Sequence, residues 1–428
     1  MAALTLIAEP FPDWEAQAQS AGARDLAAAI AAMAPRSCSA RFLLARGSEA
    51  PEFRSPVLTV DHLPLRASVL PLVWQTGATA RPLDGEFVHA PTPMVPLRSR
   101  GDDDGSQTSV MISHSVAWEA PELMQGNQAR LFRAFAKRAV RLADVILTPT
   151  HATARVLQET YGSGLPVQVM QLAAPAEFRR AEDSAERRAV LGLPPRYTLT
   201  TATPGDRGRL EWLFDAMRAD PELPHLVVLE GLEPGSAQPT PAGGASGRAK
   251  GGAQTQAQAQ AQAQARANVD AHVQAQAALA GGEADAAPTS GGVQLLEHDS
   301  APDSGLIPGD LRGRVTTVRP RELADVGAII AGAGLLLRPQ NYSGTGFTEL
   351  GALGSSVPVL HSGHPATAEL VLDGGIGAET QSDFAAEYHR LFTEPGALAR
   401  LTVLARDRSR SFSWNAAAWQ LWETHANL

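Results

Sequence analysis

The chain has 428 residues, of which 44% are hydrophobic, and a formal net charge of −9. At roughly 100–200 residues per domain, this length implies two or three domains, each able to bury a core. The modest acidic balance and the lack of a basic block argue against a nucleic-acid surface. A single cysteine, Cys38, excludes a disulfide framework and a multi-thiolate metal site, and fits a reducing compartment.

No apolar run approaches the ~18 residues of a membrane-spanning helix. The first residues, Met1 to Ile7, lack a basic region, and the apolar stretch breaks at Glu9-Pro10, unlike a signal peptide. The sequence thus reads as a soluble cytoplasmic protein, with a peripheral membrane contact still compatible.

Along the chain, short apolar bursts predict buried strands at 4–7, 57–60, 87–88, 110–112, 145–147 and 167–170. A second set falls at 197–201, 226–229, 315–318, 334–337 and 357–360. Helical patterns lie between several of them, at 25–33, 128–142, 151–160, 210–218, 321–331, 383–393 and 416–425. In the helix 128–142, Leu131, Phe132, Phe135, Ala139 and Leu142 share one face, with arginines and a lysine on the other.

Short strands alternating with such helices predict an α/β fold of parallel sheets covered on both faces. The polar stretch 179–188 has no strand character and reads as the link between two doubly wound domains. Residues 1–180 form the first and 181–411 the second, with 412–428 a final helix. From Pro234 to Gly292 the composition changes to Pro, Gly, Ser and Ala-Gln alternation. That segment has almost no large apolar side chains to offset ordering entropy, so it reads as a solvated insertion. A partner-binding arm is the alternative. In doubly wound domains, ligands bind outside the carboxyl ends of the strands, so two facing domains place a site in the cleft between them.

The most informative stretch runs from Arg338 to Leu360. A buried strand ends in a polar loop containing Ser343, Gly344, Thr345 and Gly346, followed by a short helix of small residues and another strand. Backbone N–H groups at such a loop can approach an anion closely, and the helix dipole favours negative charge. A purely structural glycine turn would look the same. Asp102-Asp103-Asp104 reads as a solvated acidic loop rather than a ligand set, and no metal site is evident.

This strand–loop–helix, followed by Val357-Pro358-Val359, resembles the donor-binding half of a GT-B glycosyltransferase of the family 4 type. Val88-His89-Ala90-Pro91, the run Ser113-His114 to Pro121-Glu122, and Ala143-Asp144 to Thr150-His151 are similar to that family's N-terminal elements. Phe412-Ser413-Trp414 and the helix after it resemble its returning C-terminal helix. The resemblance spans nearly the whole chain, the 234–292 segment excepted. It implies a GT-B fold of two Rossmann-like domains. It also implies a nucleotide diphosphate sugar donor on the second domain, a glycan or lipid-linked acceptor on the first, retention at the anomeric carbon, and no required metal or other cofactor.

Carried over residue by residue, the resemblance places Arg207 and Arg209 on the donor diphosphate, with Ser343, Gly344, Thr345 and Gly346. It places His114 near the sugar, and Gly22, in a loop before a helix, on the acceptor side. Gly208 stands where the family has a lysine, and Ser115 where an aspartate follows the histidine. Ser343 and Gly351 stand where a glutamate pair is expected; Glu349 lies two residues before the second position, roughly 200° away around a helix. These replacements leave a second reading open: a catalytically impaired homologue acting as a binding or regulatory partner.

Overall fold

The computed structural model describes residues 2–76, 87–97, 106–232 and 306–428. The acidic run 102–104 and the segment 234–292 lie outside the described residues. The first half builds a seven-stranded sheet: β1 (Ala3–Ile7), β2 (Ser39–Leu44), β3 (Leu58–His62), β4 (Phe87–Ala90), β5 (Gln107–Met111), β6 (Val145–Thr148) and β7 (Val167–Val169). Its helices are α1 (Ala16–Ala32), α2 (Leu70–Gln75), α3 (Val116–Glu119), α4 (Gln128–Leu142) and α5 (His151–Tyr161). The second half, entered through α6 (Ser184–Val190), builds six strands: β8 (Tyr197–Thr200), β9 (His225–Leu229), β10 (Val315–Val318), β11 (Leu336–Arg338), β12 (Val359–His361) and β13 (Gly375–Gly377). With them run α7 (Leu210–Ala219), α8 (Leu323–Gly332), α9 (Phe347–Gly354), α10 (Pro365–Val371), α11 (Gln381–Thr393), α12 (Ala397–Ser409) and α13 (Trp414–Ala426).

The sheet orders are β3-β2-β1-β4-β5-β6-β7 and β10-β9-β8-β11-β12-β13. Every pairing is parallel. Strands such as Val145–Thr148 and Tyr197–Thr200 are buried along their whole length, as sheets covered on both faces require. In each sheet the strand order reverses once, between β1 and β4 and between β8 and β11. The loops leaving β1, β8 and β11 are therefore the places where a crevice opens at the strands' carboxyl ends.

The structure corrects one of these expectations and adds elements the sequence did not announce. The helix expected at 25–33 begins at Ala16, because Ala16-Gln-Ala-Gln are strong helix formers and Gly22 does not break them. The link 179–188, strand-free as expected, runs into α6, whose Arg187 side chain reaches Glu322 and Asp325 (3.0 Å) at the start of α8. Two strands were not anticipated, β2 and the short edge strand β13.

Helix α13 returns to the first sheet and packs on α1. The Trp422 indole N–H donates to the Ile30 carbonyl (3.1 Å), and Gln420 donates to the Val169 carbonyl (2.7 Å). His425 completes a buried chain, its Nε2 3.0 Å from the Ser109 hydroxyl, which lies 2.8 Å from His89 Nδ1.

Burial holds His89 down to about 3, His425 to about 4 and His361 to about 4, so all three are neutral in the fold. Unfolding lets each take up a proton below its ordinary value near 6.5. Their contribution is therefore complete above pH 6.5 and falls as the pH drops towards 4. The maximal slope is about 1.4 kcal/mol per pH unit for each histidine. Urea midpoints measured from pH 8 to 4.5 should fall below pH 6.5, and less steeply in a His425→Gln variant. A flat profile would contradict the neutral-histidine assignment.

Candidate active site

The carboxyl-terminal loops of the two sheets face each other across a cleft. Counting the part open to solvent, it holds about 840 Å³ of non-protein space. One wall is the loop after β1 and the start of α1, with Asp13, Trp14 and Glu15; the other includes Arg338, Gly344 and Glu349.

The Ser343–Gly346 loop lies at the N-terminus of α9. Gly346 has φ +88°, and a side chain on Gly344 would collide with the Glu15 carboxylate. Glu15 reaches this loop from the opposite half. Its Oε1 accepts the Thr345 N–H at 2.8 Å, and its Oε2 accepts the Thr345 hydroxyl. Burial pushes the Glu15 carboxyl up to about 7. His114 and the Thr345 hydrogen bonds pull the other way, and Asp13 adds to the rise. The Ser343 hydroxyl donates to the Gly344 carbonyl at 3.3 Å.

His114 is fully buried, stacked on Phe132 (4.6 Å) with Trp14 tilted against it (4.9 Å). Its Nε2 lies 3.5 Å from Asp13 Oδ2, so a carboxylate does accompany this histidine, from the β1 loop rather than from position 115. Ser115 instead donates to Glu119, whose carboxyl is held below its usual range by His364 and, less, by this Ser115 contact.

Arg207 and Arg209 lie just before α7, away from the part of the cleft that Glu15 and Glu349 line. Arg207 is bound across the cleft to Glu122 (3.0 Å), and Arg209 stacks on Trp212 at 4.4 Å. Arg209 also points an Nη1 at the Pro339 carbonyl (3.4 Å), next to the β11 loop. Gly208 has no room for a lysine: a Cβ there would strike the Thr203 carbonyl, which accepts the Leu210 N–H.

Glu349 faces the cleft, not beside Arg207 or Arg209 but paired with Arg338 (2.9 Å), both almost wholly buried. Gly351 is packed against Phe178 and Ile330, so a carboxylate there would have to displace the core. Gly22 needs correcting as a loop residue: it lies inside α1, against Phe347 and Trp414, because the helix starts six residues before it.

Residues that sequence reasoning missed are Asp13, Trp14, Glu15, Arg319 and Arg338. The first three follow β1 at its switch point, a positional signal the sequence did carry. Arg319 and Arg338 close the ends of β10 and β11, but they are answered by Glu230 (3.0 Å) and Glu349.

No protein-family model matches this sequence, and no curated protein matches it. Solved structures do match in fold. A sucrose-phosphate synthase from Thermosynechococcus elongatus superposes with a TM-score of 0.62 at 16% identity, over 100% of this chain and 99% of the other. HepE from Anabaena, solved with UDP-glucose, gives 0.56 at 13% identity over 100% of both chains. WaaG, a glycosyltransferase involved in lipopolysaccharide biosynthesis, gives 0.55 at 16% identity, again over 100% of both. With its two facing parallel-sheet Rossmann-like domains, the chain has the GT-B fold seen in glycosyltransferases.

Removing one member of a buried ion pair leaves the other charge uncompensated, at a cost of about 3–5 kcal/mol. Glu349→Ala should therefore lower urea-unfolding stability by that amount, and Arg338→Met with Glu349→Leu should recover most of it. An unchanged midpoint in Glu349→Ala would show that the pair is not formed.

Proposed function

We propose that the protein transfers a hexose from a nucleotide diphosphate sugar, held in this cleft, to a glycan or lipid-linked acceptor on the first half. The observation that carries the reading is the Ser343–Gly346 loop at the N-terminus of α9, aimed at the β1 loop of the facing half. HepE, which has this fold, was solved with UDP-glucose. The diphosphate lies over the N-terminus of α9, where the first-turn amides have no intrahelical acceptor. Arg209 and Arg207 approach it from the β8 loop once Arg207 leaves Glu122. Cations and helix amides stabilise the leaving diphosphate, so no metal or other cofactor is required. Transfer proceeds with retention: the acceptor oxygen bonds to the anomeric carbon on the face the diphosphate leaves, and a diphosphate oxygen takes the acceptor proton. Closure of the two halves excludes water. The reaction takes place in the cytoplasm, with peripheral contact to a membrane where the acceptor is lipid-linked.

A second reading, a binding or regulatory homologue without transfer activity, is favoured by a specific observation. Asp13, Glu15, Glu230, Glu322 and Glu349 outnumber Arg319 and Arg338 around the cleft, a field that opposes a diphosphate.

Calorimetric titration with UDP, GDP and ADP and their hexose conjugates separates the two. The transfer reading expects saturable micromolar binding of one conjugate. It further expects about a tenfold loss in Arg209→Ala, the size of one charge-assisted hydrogen bond, and activity that survives EDTA. Folded protein that binds none of them would leave the regulatory reading.

A further inference from the structure

The amide of Thr345 and its hydroxyl make a two-point seat for an anion at the N-terminus of α9, and that seat is filled. The group in it is the carboxylate of Glu15, delivered from the other half across the cleft. Three features show that it is seated rather than merely nearby. Both carboxylate oxygens are engaged by the same residue. Gly344 leaves the space for it, since any Cβ there would meet Glu15 Oε1. Asp13, fully buried and with Oδ2 lacking a hydrogen-bond partner among the described residues, lies beside it, and its like charge works against Glu15 ionising. The loop and helix N-terminus hold a carboxyl group there in spite of Asp13, with His114 as a facing imidazole. A second internal acid, Glu349, likewise answers the nearby guanidinium of Arg338.

We propose that Glu15 is a built-in occupant of the anion seat: its carboxylate stands where an oxygen of a diphosphate binds, and it must leave before such a ligand can enter. The inference deepens the donor-binding reading and rests on it for the identity of the natural ligand. An oxyanion at Thr345 would meet the same two donors that Glu15 now occupies. Ligand entry therefore breaks one of the contacts that hold the halves together, so binding is coupled to release of the β1 loop.

The test uses the full chain and two probes, inorganic pyrophosphate and UDP, titrated by calorimetry into the parent, Glu15→Gln and Glu15→Ala. A further variant, Glu369→Gln, weakens another cross-cleft contact (to the start of α5) without touching the seat. Thermal melts establish that each variant is folded. Both Glu15 variants should bind pyrophosphate at least tenfold more tightly than the parent, and Glu369→Gln should bind it as the parent does. Equal affinity in parent and Glu15 variants, or no pyrophosphate binding by any of them, overturns the proposal. So does an equal gain in Glu369→Gln, which would mean general loosening of the cleft. Tighter pyrophosphate binding with no binding of UDP would keep the seat and reject the donor reading.

Discussion

Four glutamates span the cleft, and the geometry of the site depends on them. Glu15 binds Thr345, Glu119 faces His364 (3.8 Å), Glu122 binds Arg207 (3.0 Å), and Glu369 accepts the first amides of α5 from His151 (2.8 Å) and Ala152 (3.1 Å). In each contact an acid on one half meets a donor on the other. Glu369 is the most specific of the four: it caps a helix of the first half from a helix of the second, satisfying amides that an isolated helix leaves open. Each exposed contact alone contributes little. Together they hold the carboxyl ends of the two sheets face to face.

The site also differs from the pattern its sequence resembles. The carboxylates expected on the Ser343 loop and at Gly351 are absent from those positions. Acids are nonetheless present in the cleft, on the β1 loop and at Glu349. Around the β8 loop, Gly208 and the left-handed Arg209 (φ 56°) form a turn too tight for a lysine, and the charge sits one residue later. At Gly208 the backbone itself leaves no space for the lysine, so the chemistry of the cleft follows from contacts rather than from motif positions.

Much of the fold was legible. Continuous apolar runs such as Val145-Ile-Leu and Leu226-Val-Val-Leu announce strands buried on both faces, and amphipathic 128–142 is a helix over that whole span. Gly22 misled because glycine was read as a loop marker although the Ala-Gln run before it is strongly helical. β2, Ser-Ala-Arg-Phe-Leu-Leu, and β13, Gly-Ile-Gly, lack clear alternation or length, so periodicity could not find them. At the site, the loop 343–346 was legible as a glycine-containing helix start. Glu15 was not, because its partner lies 330 residues away and only the topology brings them together. Nor was the burial of His114 beneath Trp14, which depends on how the β1 loop folds over it.

The most direct test of this account is a crystal structure of the full chain grown with a saturating nucleotide diphosphate sugar. The account predicts diphosphate density within hydrogen-bond distance of the Thr345 amide, with the Glu15 side chain turned away and the nucleoside in the cleft bounded by Arg319 and Glu349. Clear ligand density elsewhere on the chain, with Glu15 still bonded to Thr345, would contradict it.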